Sequence, residues 1–139
     1  MRLGQTPSVL VVDDSPTISR IICGILKQIG LSNVGVANSG PEALTQLRAK
    51  RYSIVISDWN MVPMSGYELL KEIRSDDELE QVCFLMISAE PSIEKLVAAR
   101  KARADSYLIK PFSADTLKTK IEEAFKIRNA ANALLRKSA

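Results

Sequence analysis

Five short apolar runs, each closed by a polar residue and followed by a stretch of helical periodicity, alternate along this chain. No other feature restricts the fold as much, because strict strand–helix alternation predicts a parallel sheet with helices on both faces, joined by right-handed crossovers. Ser8 to Val12 runs into Asp13 and Asp14, the mark of a strand buried on both faces. Ser15 before Pro16 is an N-cap followed by proline in the first turn, and Ile21, Ile22, Ile25 and Leu26 recur at helical spacing until Gly30. The unit then repeats, with a strand over Asn33 to Ala37 and a helix over Pro41 to Lys50 carrying Ala43, Leu44 and Leu47 on one face. Tyr52 to Ser57 is the strongest strand signal and leads into Asp58, a loop with Pro63 and Gly66, and a helix marked by Leu69, Leu70 and Ile73. A strand over Val82 to Ser88 precedes a helix capped by Ser92 that reaches about Arg103. A strand over Ser106 to Ile109 precedes a helix capped by Ser113 that reaches about Ile127.

In open α/β sheets, ligand sites lie outside the carboxyl ends of the strands, at the switch point. Asp13 and Asp14 end the first strand, Asp58 the third, Ser88 the fourth and Lys110 the fifth, so polar residues fall where that rule expects a site. The chain contains no histidine, which excludes a histidine general base, a His metal ligand and a phosphohistidine. Three carboxylates with a serine and a lysine make a poor acid/base catalyst but a good oxygen set for Mg²⁺. A carboxylate is also a nucleophile toward phosphorus when cations neutralise the transferred group. Asp58 is the nucleophile candidate, Lys110 the second cation, and Ser88 a hydroxyl able to hydrogen-bond a phosphoryl oxygen. Asp13 and Asp14, adjacent and mutually repulsive, suit a shared divalent ion. Taken singly, strand-end aspartates are more often caps or solvated loop residues. For Asp14 a cap role competes directly, but Ser15 is better placed beside Pro16.

The remaining composition sets bounds. At 139 residues and 46% hydrophobic content, one domain with a sizeable core is expected. No apolar run approaches the roughly 18 residues of a membrane span, and the start is not a signal peptide, so a cytoplasmic protein is expected. Cys23 and Cys83 read as reduced core residues. A net charge of +3 does not argue for nucleic acid, and no DNA or membrane partner is expected.

The segments VLVVDDS, VISDWNM with PMSG, MISAE and SYLIKPF, in this order and spacing, resemble the response-regulator receiver domains, especially the single-domain CheY-like members, over Ser8 to Ile127. The resemblance implies a flavodoxin-like, doubly wound five-stranded parallel sheet of order 2-1-3-4-5 with five helices. It makes Asp13 and Asp14 the acidic pair, Asp58 the phosphoacceptor, Ser88 the switch hydroxyl, Tyr107 the switch aromatic and Lys110 the lysine. It adds the backbone carbonyl of Asn60 as a Mg²⁺ ligand and makes Asn60 and Glu90 the positions tuning dephosphorylation, with Ala89 leaving access for water. It further implies a cis Lys110–Pro111 bond. Two departures stand out: Pro63 comes one place later than usual after Asp58, and Arg103 stands where glycine usually ends the fourth helix.

Residues 1–7 are expected as an N-terminal extension, 8–128 as the domain, and 129–139 as a tail or an extension of the last helix. The implied function is a stand-alone phosphorylation switch rather than an enzyme, taking phosphoryl from a histidine kinase or phosphotransfer protein and binding a downstream target such as a flagellar motor or chemotaxis component. A phosphate sink or relay is the alternative within the same family. A phosphatase with an aspartate nucleophile is a third reading, but it needs an acid just beyond Asp58, where Trp59 and Asn60 stand. Leu96, Arg100 and Arg103, at i, i+4 and i+7, are expected to form one solvent-facing stripe flanked by Lys95 and Lys101. Val97, Ala99, Ala102 and Ala104 are expected to pack on the sheet. In CheY-like members this helix belongs to the partner face, so an acidic partner is implied, or more narrowly a cyclic dinucleotide gripped by Arg100 and Arg103.

Overall fold

The computed structural model describes residues 6–138; of the expected N-terminal extension only Thr6 and Pro7 fall within it. The elements are β1 (Val9–Val12), α1 (Pro16–Gln28), β2 (Val34–Ala37), α2 (Gly40–Ala49), β3 (Ile54–Asp58), α3 (Gly66–Ser75), β4 (Cys83–Ser88), α4 (Ile93–Lys101), β5 (Ser106–Ile109) and α5 (Ala114–Ser138). All four strand pairings are parallel and the order is β2-β1-β3-β4-β5, as the resemblance implies.

Alternating side chains of the central strands feed two cores. Val9 and Val11 with Ile54 and Ile56 face Leu26 of α1 and Leu117 of α5. Leu10 and Val12 with Val55 face Leu44 of α2 and Leu70 of α3. These side chains are nearly all fully buried, each contributing about 1.5–3 kcal/mol of transfer free energy, so neither helix layer is dispensable.

The expected caps form. Ser15, Ser92 and Ser113 accept the backbone N–H of Ile18, Lys95 and Thr116, which leaves Asp14 free of a capping task. β1 and β3 begin one and two residues later than expected; just ahead of them Ser8 and Ser53 trade reciprocal backbone-to-hydroxyl bonds, beside the backbone bond from Ser53 N–H to Ser8 O at 2.8 Å. β3 in turn includes Asp58.

Three expectations need correction. α5 does not stop near Ile127 but runs to Ser138, since Ala130, Ala131, Ala133, Leu134 and Leu135 are helix formers with no breaker among them. α4 stops at Lys101, so Arg103 is not part of a helical stripe with Leu96 and Arg100. Arg103 has φ +72° and closes the helix in the left-handed conformation, its N–H bonding Arg100 O while the N–H of Ala104 bonds Ala99 O. The glycine-type C-cap is therefore kept without glycine. Finally, of the small residues expected against the sheet, Ala99 is buried but Val97 is exposed.

Candidate functional site

Register brings the strand ends together: Asp58 pairs with Ile87 and Ser88 with Ile109, while Asp13 and Lys110 directly follow β1 and β5. Lys110 Nζ lies 3.0 Å from Asp58 Oδ1 and 3.9 Å from Asp13 Oδ2. The Lys110–Pro111 bond is cis, as the resemblance implies, and so is Val62–Pro63 in the loop where proline is displaced. That loop returns to the site through Gly66, whose N–H donates to Trp59 O at 2.8 Å. A Cβ at Gly66 would collide with the backbone carbonyl of Asp58, so only glycine lets α3 start against the end of β3.

Asp13 is 2% exposed and only half satisfied. Its Oδ1 accepts the N–H of Ser15 at 2.9 Å, while the buried Oδ2 has no hydrogen-bond partner. Burial holds its carboxyl above the usual range; the Ser15 bond opposes this, Asp58 adds to it, Lys110 opposes it, and Asp14 adds further. Asp14 and Asn60 are exposed. Among the described residues no group of three or more His, Cys, Asp or Glu side chains forms a ready metal cluster. The fit to Mg²⁺ rests on a different observation: a buried, unpartnered carboxylate oxygen beside a second carboxylate. Mg²⁺ characteristically takes one or two carboxylates, keeps several waters and shares substrate phosphate oxygens, so an incomplete protein shell suits it.

Ser88 is fully buried, and its Oγ accepts the N–H of Glu90 at 3.1 Å, leaving the hydroxyl proton to donate elsewhere. Ala89 and Glu90 are exposed. Tyr107 is half-buried, and its hydroxyl is buried without a partner. Its ring meets Trp59 edge-on at 6.4 Å, and Trp59 stacks on Tyr67 at 5.2 Å.

Leu96 and Arg100 line a groove of about 670 Å³ between α4, β5 and α5, together with Tyr107, Ile109, Lys120 and Ile127. Arg103 is not among its lining residues; its Nη2 donates to Arg74 O at 3.1 Å. Arg100 and Arg103 therefore do not line this groove together.

One charged cluster escaped the reading of strand ends. At the other end of the sheet, Asp105 lies between Arg74 and Arg128, all three about 5% exposed or less. Arg74 Nη2 reaches Asp105 Oδ2 at 3.0 Å and Arg128 Nη2 reaches Oδ1 at 2.9 Å. Arg74 also donates to the carbonyls of Glu80, Val82 and Arg103. Burial lowers its pKa to about 10, with Asp105 opposing the shift, so it stays charged near neutrality. The available signal was periodic: Arg128 continues the buried series Leu117, Ile121 and Ala124, and Arg74 follows Leu70 by four residues.

Comparison with known proteins bears on the fold and the family. Chemotaxis protein CheY-3 of Vibrio cholerae is 40% identical over 123 residues, covering 88% of this chain and 95% of its own. Chemotaxis protein CheY of Pseudomonas aeruginosa is 38% identical over 117 residues, covering 84% and 94%. The solved structure of Vibrio cholerae CheY4 superposes with a TM-score of 0.80 at 32% identity, covering 86% of this chain and 99% of that one. A receiver domain protein from Clostridium thermocellum gives 0.79 at 27%, covering 90% and 98%. The model of the response regulator receiver domain matches residues 9–122, and the chain belongs to that family as a CheY-like member.

Proposed function

We propose that the chain is a cytoplasmic phosphorylation switch whose Asp58 accepts a phosphoryl group from a phosphohistidine on a kinase or phosphotransfer protein. The observation that carries this reading is the ammonium of Lys110 set 3.0 Å from Asp58 and facing Asp13, at the carboxyl edge of the sheet. One carboxylate oxygen of Asp58 attacks phosphorus, the P–N bond breaks, and the imidazole nitrogen keeps the electron pair. Lys110 stays beside the acyl phosphate and offsets its charge, and the Ser88 hydroxyl donates to a phosphoryl oxygen. Asp13, Asp14 and Asp58 with the Asn60 carbonyl would hold Mg²⁺, which supplies further charge neutralisation. Asn60, Ala89 and Glu90 flank the route of water to the phosphorus. With Ser88 drawn toward the phosphoryl group, Tyr107, lacking a hydroxyl partner, is free to change position and alter the groove lined by Leu96 and Arg100. That groove is the output surface for a downstream protein of chemotaxis type, consistent with what the relatives are called.

Incubation with a small radiolabelled phosphodonor and Mg²⁺ tests the assignment. Asp58→Asn is expected to abolish the label. Label that persists in Asp58→Asn overturns the assignment.

A further inference from the structure

Lys95 lies outside the strand-end site, yet it joins two residues that adjoin it. Its Nζ is 3.1 Å from Glu90 Oε1 and 5.2 Å from the centre of the Trp59 ring. Trp59 directly follows Asp58, and Glu90 lies two residues past Ser88, whose hydroxyl it binds through its own N–H. The Trp59 ring is stacked on Tyr67 with 5° between the planes and lies edge-on to Tyr107. Lys95 is thus seated on the stacked indole face and holds the Glu90 carboxylate, itself still 56% exposed, beside it, bridging the ends of β3 and β4. An ammonium over an indole face is attracted by the ring quadrupole, and the ion pair adds to that attraction.

We propose that Lys95 is a positioning residue: it holds Glu90 against Trp59 across the mouth of the crevice and so slows the entry of water to the acyl phosphate at Asp58. This rests on the phosphoacceptor reading above. In the step concerned, the oxygen of water bonds to phosphorus, the bond from phosphorus to the Asp58 oxygen breaks with its electron pair returning to the carboxylate, and both water protons leave with the phosphate. Lys95 touches none of these atoms; it acts through where Glu90 and the indole stand.

The test is the first-order decay of label on Asp58 after removal of a small phosphodonor. Lys95→Met keeps an apolar stem on the ring but releases Glu90, and its decay is expected to be faster by about fivefold, the size of one weak ion pair plus one cation–π contact. Lys95→Arg retains both contacts and is expected to decay within about twofold of the unaltered chain. Adding Glu90→Gln to Lys95→Met is expected to add little, since the carboxylate is already released. Trp59 emission should shift in Lys95→Met and not in Lys95→Arg. Decay in Lys95→Met at the unaltered rate or slower overturns the clamp, as does equal acceleration in Lys95→Arg. Absence of label from the unaltered chain overturns the phosphoacceptor reading instead, so the two failures are distinct.

Discussion

Asp13 and Asp105 are buried aspartates at opposite ends of one sheet, and they are treated in opposite ways. Asp105 is saturated: its oxygens accept from Arg74, from Nε and Nη2 of Arg128, and from the N–H of Phe84 at 2.9 Å. Asp13 has one backbone bond, an unpartnered oxygen, an ammonium at 3.9 Å and a second carboxylate pushing against it. A buried charge is tolerated when its lone pairs are filled. Where they are filled by the protein, the cluster is part of the scaffold, tying α3, β4, β5 and the extended α5 together. Where they are left open, as at Asp13 Oδ2, the carboxylate retains a lone pair that the protein does not fill. Burial of an aspartate therefore says little about its role until its partners are counted.

The contrast is broken most directly at Asp105. Asp105→Asn preserves shape but leaves two buried guanidinium groups without their counter-charge, and a cost of about 3–5 kcal/mol is expected in urea unfolding. A loss below about 1 kcal/mol would mean that the carbonyls around Arg74 suffice and that the cluster is not the scaffold it resembles. At the other end the sign should reverse. Asp13→Asn removes a repelled, half-satisfied charge and is expected to stabilise the metal-free protein by about 0.5–2 kcal/mol, while weakening Mg²⁺ binding.

Proton linkage gives that second expectation a pH signature. Desolvation raises the native pKa of Asp13 above its ordinary value of 3.8, so the native state holds this proton more tightly than the unfolded chain does. Ionised Asp13 therefore costs stability above its native pKa. The cost fades as pH falls through that pKa and is gone below 3.8. Unfolding measured without divalent ions should show Asp13→Asn gaining most at neutral pH and converging on the parent as the medium is acidified. A constant gap across pH would assign the effect to packing instead of charge.

The same contrast explains what could be read from sequence. The strand ends were legible because parallel strands announce themselves as apolar runs, and a polar residue closing each run has nowhere to go but the carboxyl edge. Asp13, Asp58, Ser88 and Lys110 are legible that way, and the structure sets them along one carboxyl edge of the sheet, with Lys110 paired to both aspartates. Asp105 is not legible in the same way, because one acidic residue in KARADSY looks like a loop residue until Arg74 and Arg128, from helices far apart in sequence, converge on it. Helical periodicity did not locate the end of α4 either, since Arg103 continues the i+7 spacing on paper while its backbone has already turned left-handed. The Lys95 contact with Trp59 is likewise a pairing between loop and helix that no spacing rule reports.

Arg103 gives the smallest effect and a fine test of how far the scaffold cluster reaches. A non-glycine residue at φ +72° carries a strain of about 1 kcal/mol, which glycine would relieve. Against that, the Arg103 side chain donates to Arg74 O, while its own carbonyl accepts Nε and Nη2 of Arg74 at 3.1 and 2.9 Å. The carbonyl bonds belong to the backbone and survive any substitution that keeps the turn. Only the side-chain bond is lost, at a cost of about 0.5–1.5 kcal/mol. In Arg103→Gly the relief and the loss nearly cancel, and stability should stay within about 0.5 kcal/mol of the parent. Arg103→Ala loses the same bond and keeps the strain, so it should be the less stable of the two by about 1 kcal/mol. Equal stability of the glycine and alanine variants in parallel denaturant titrations would show that the left-handed turn carries no strain there. A glycine variant well below the parent would show instead that the guanidinium of Arg103 is a working member of the buried cluster.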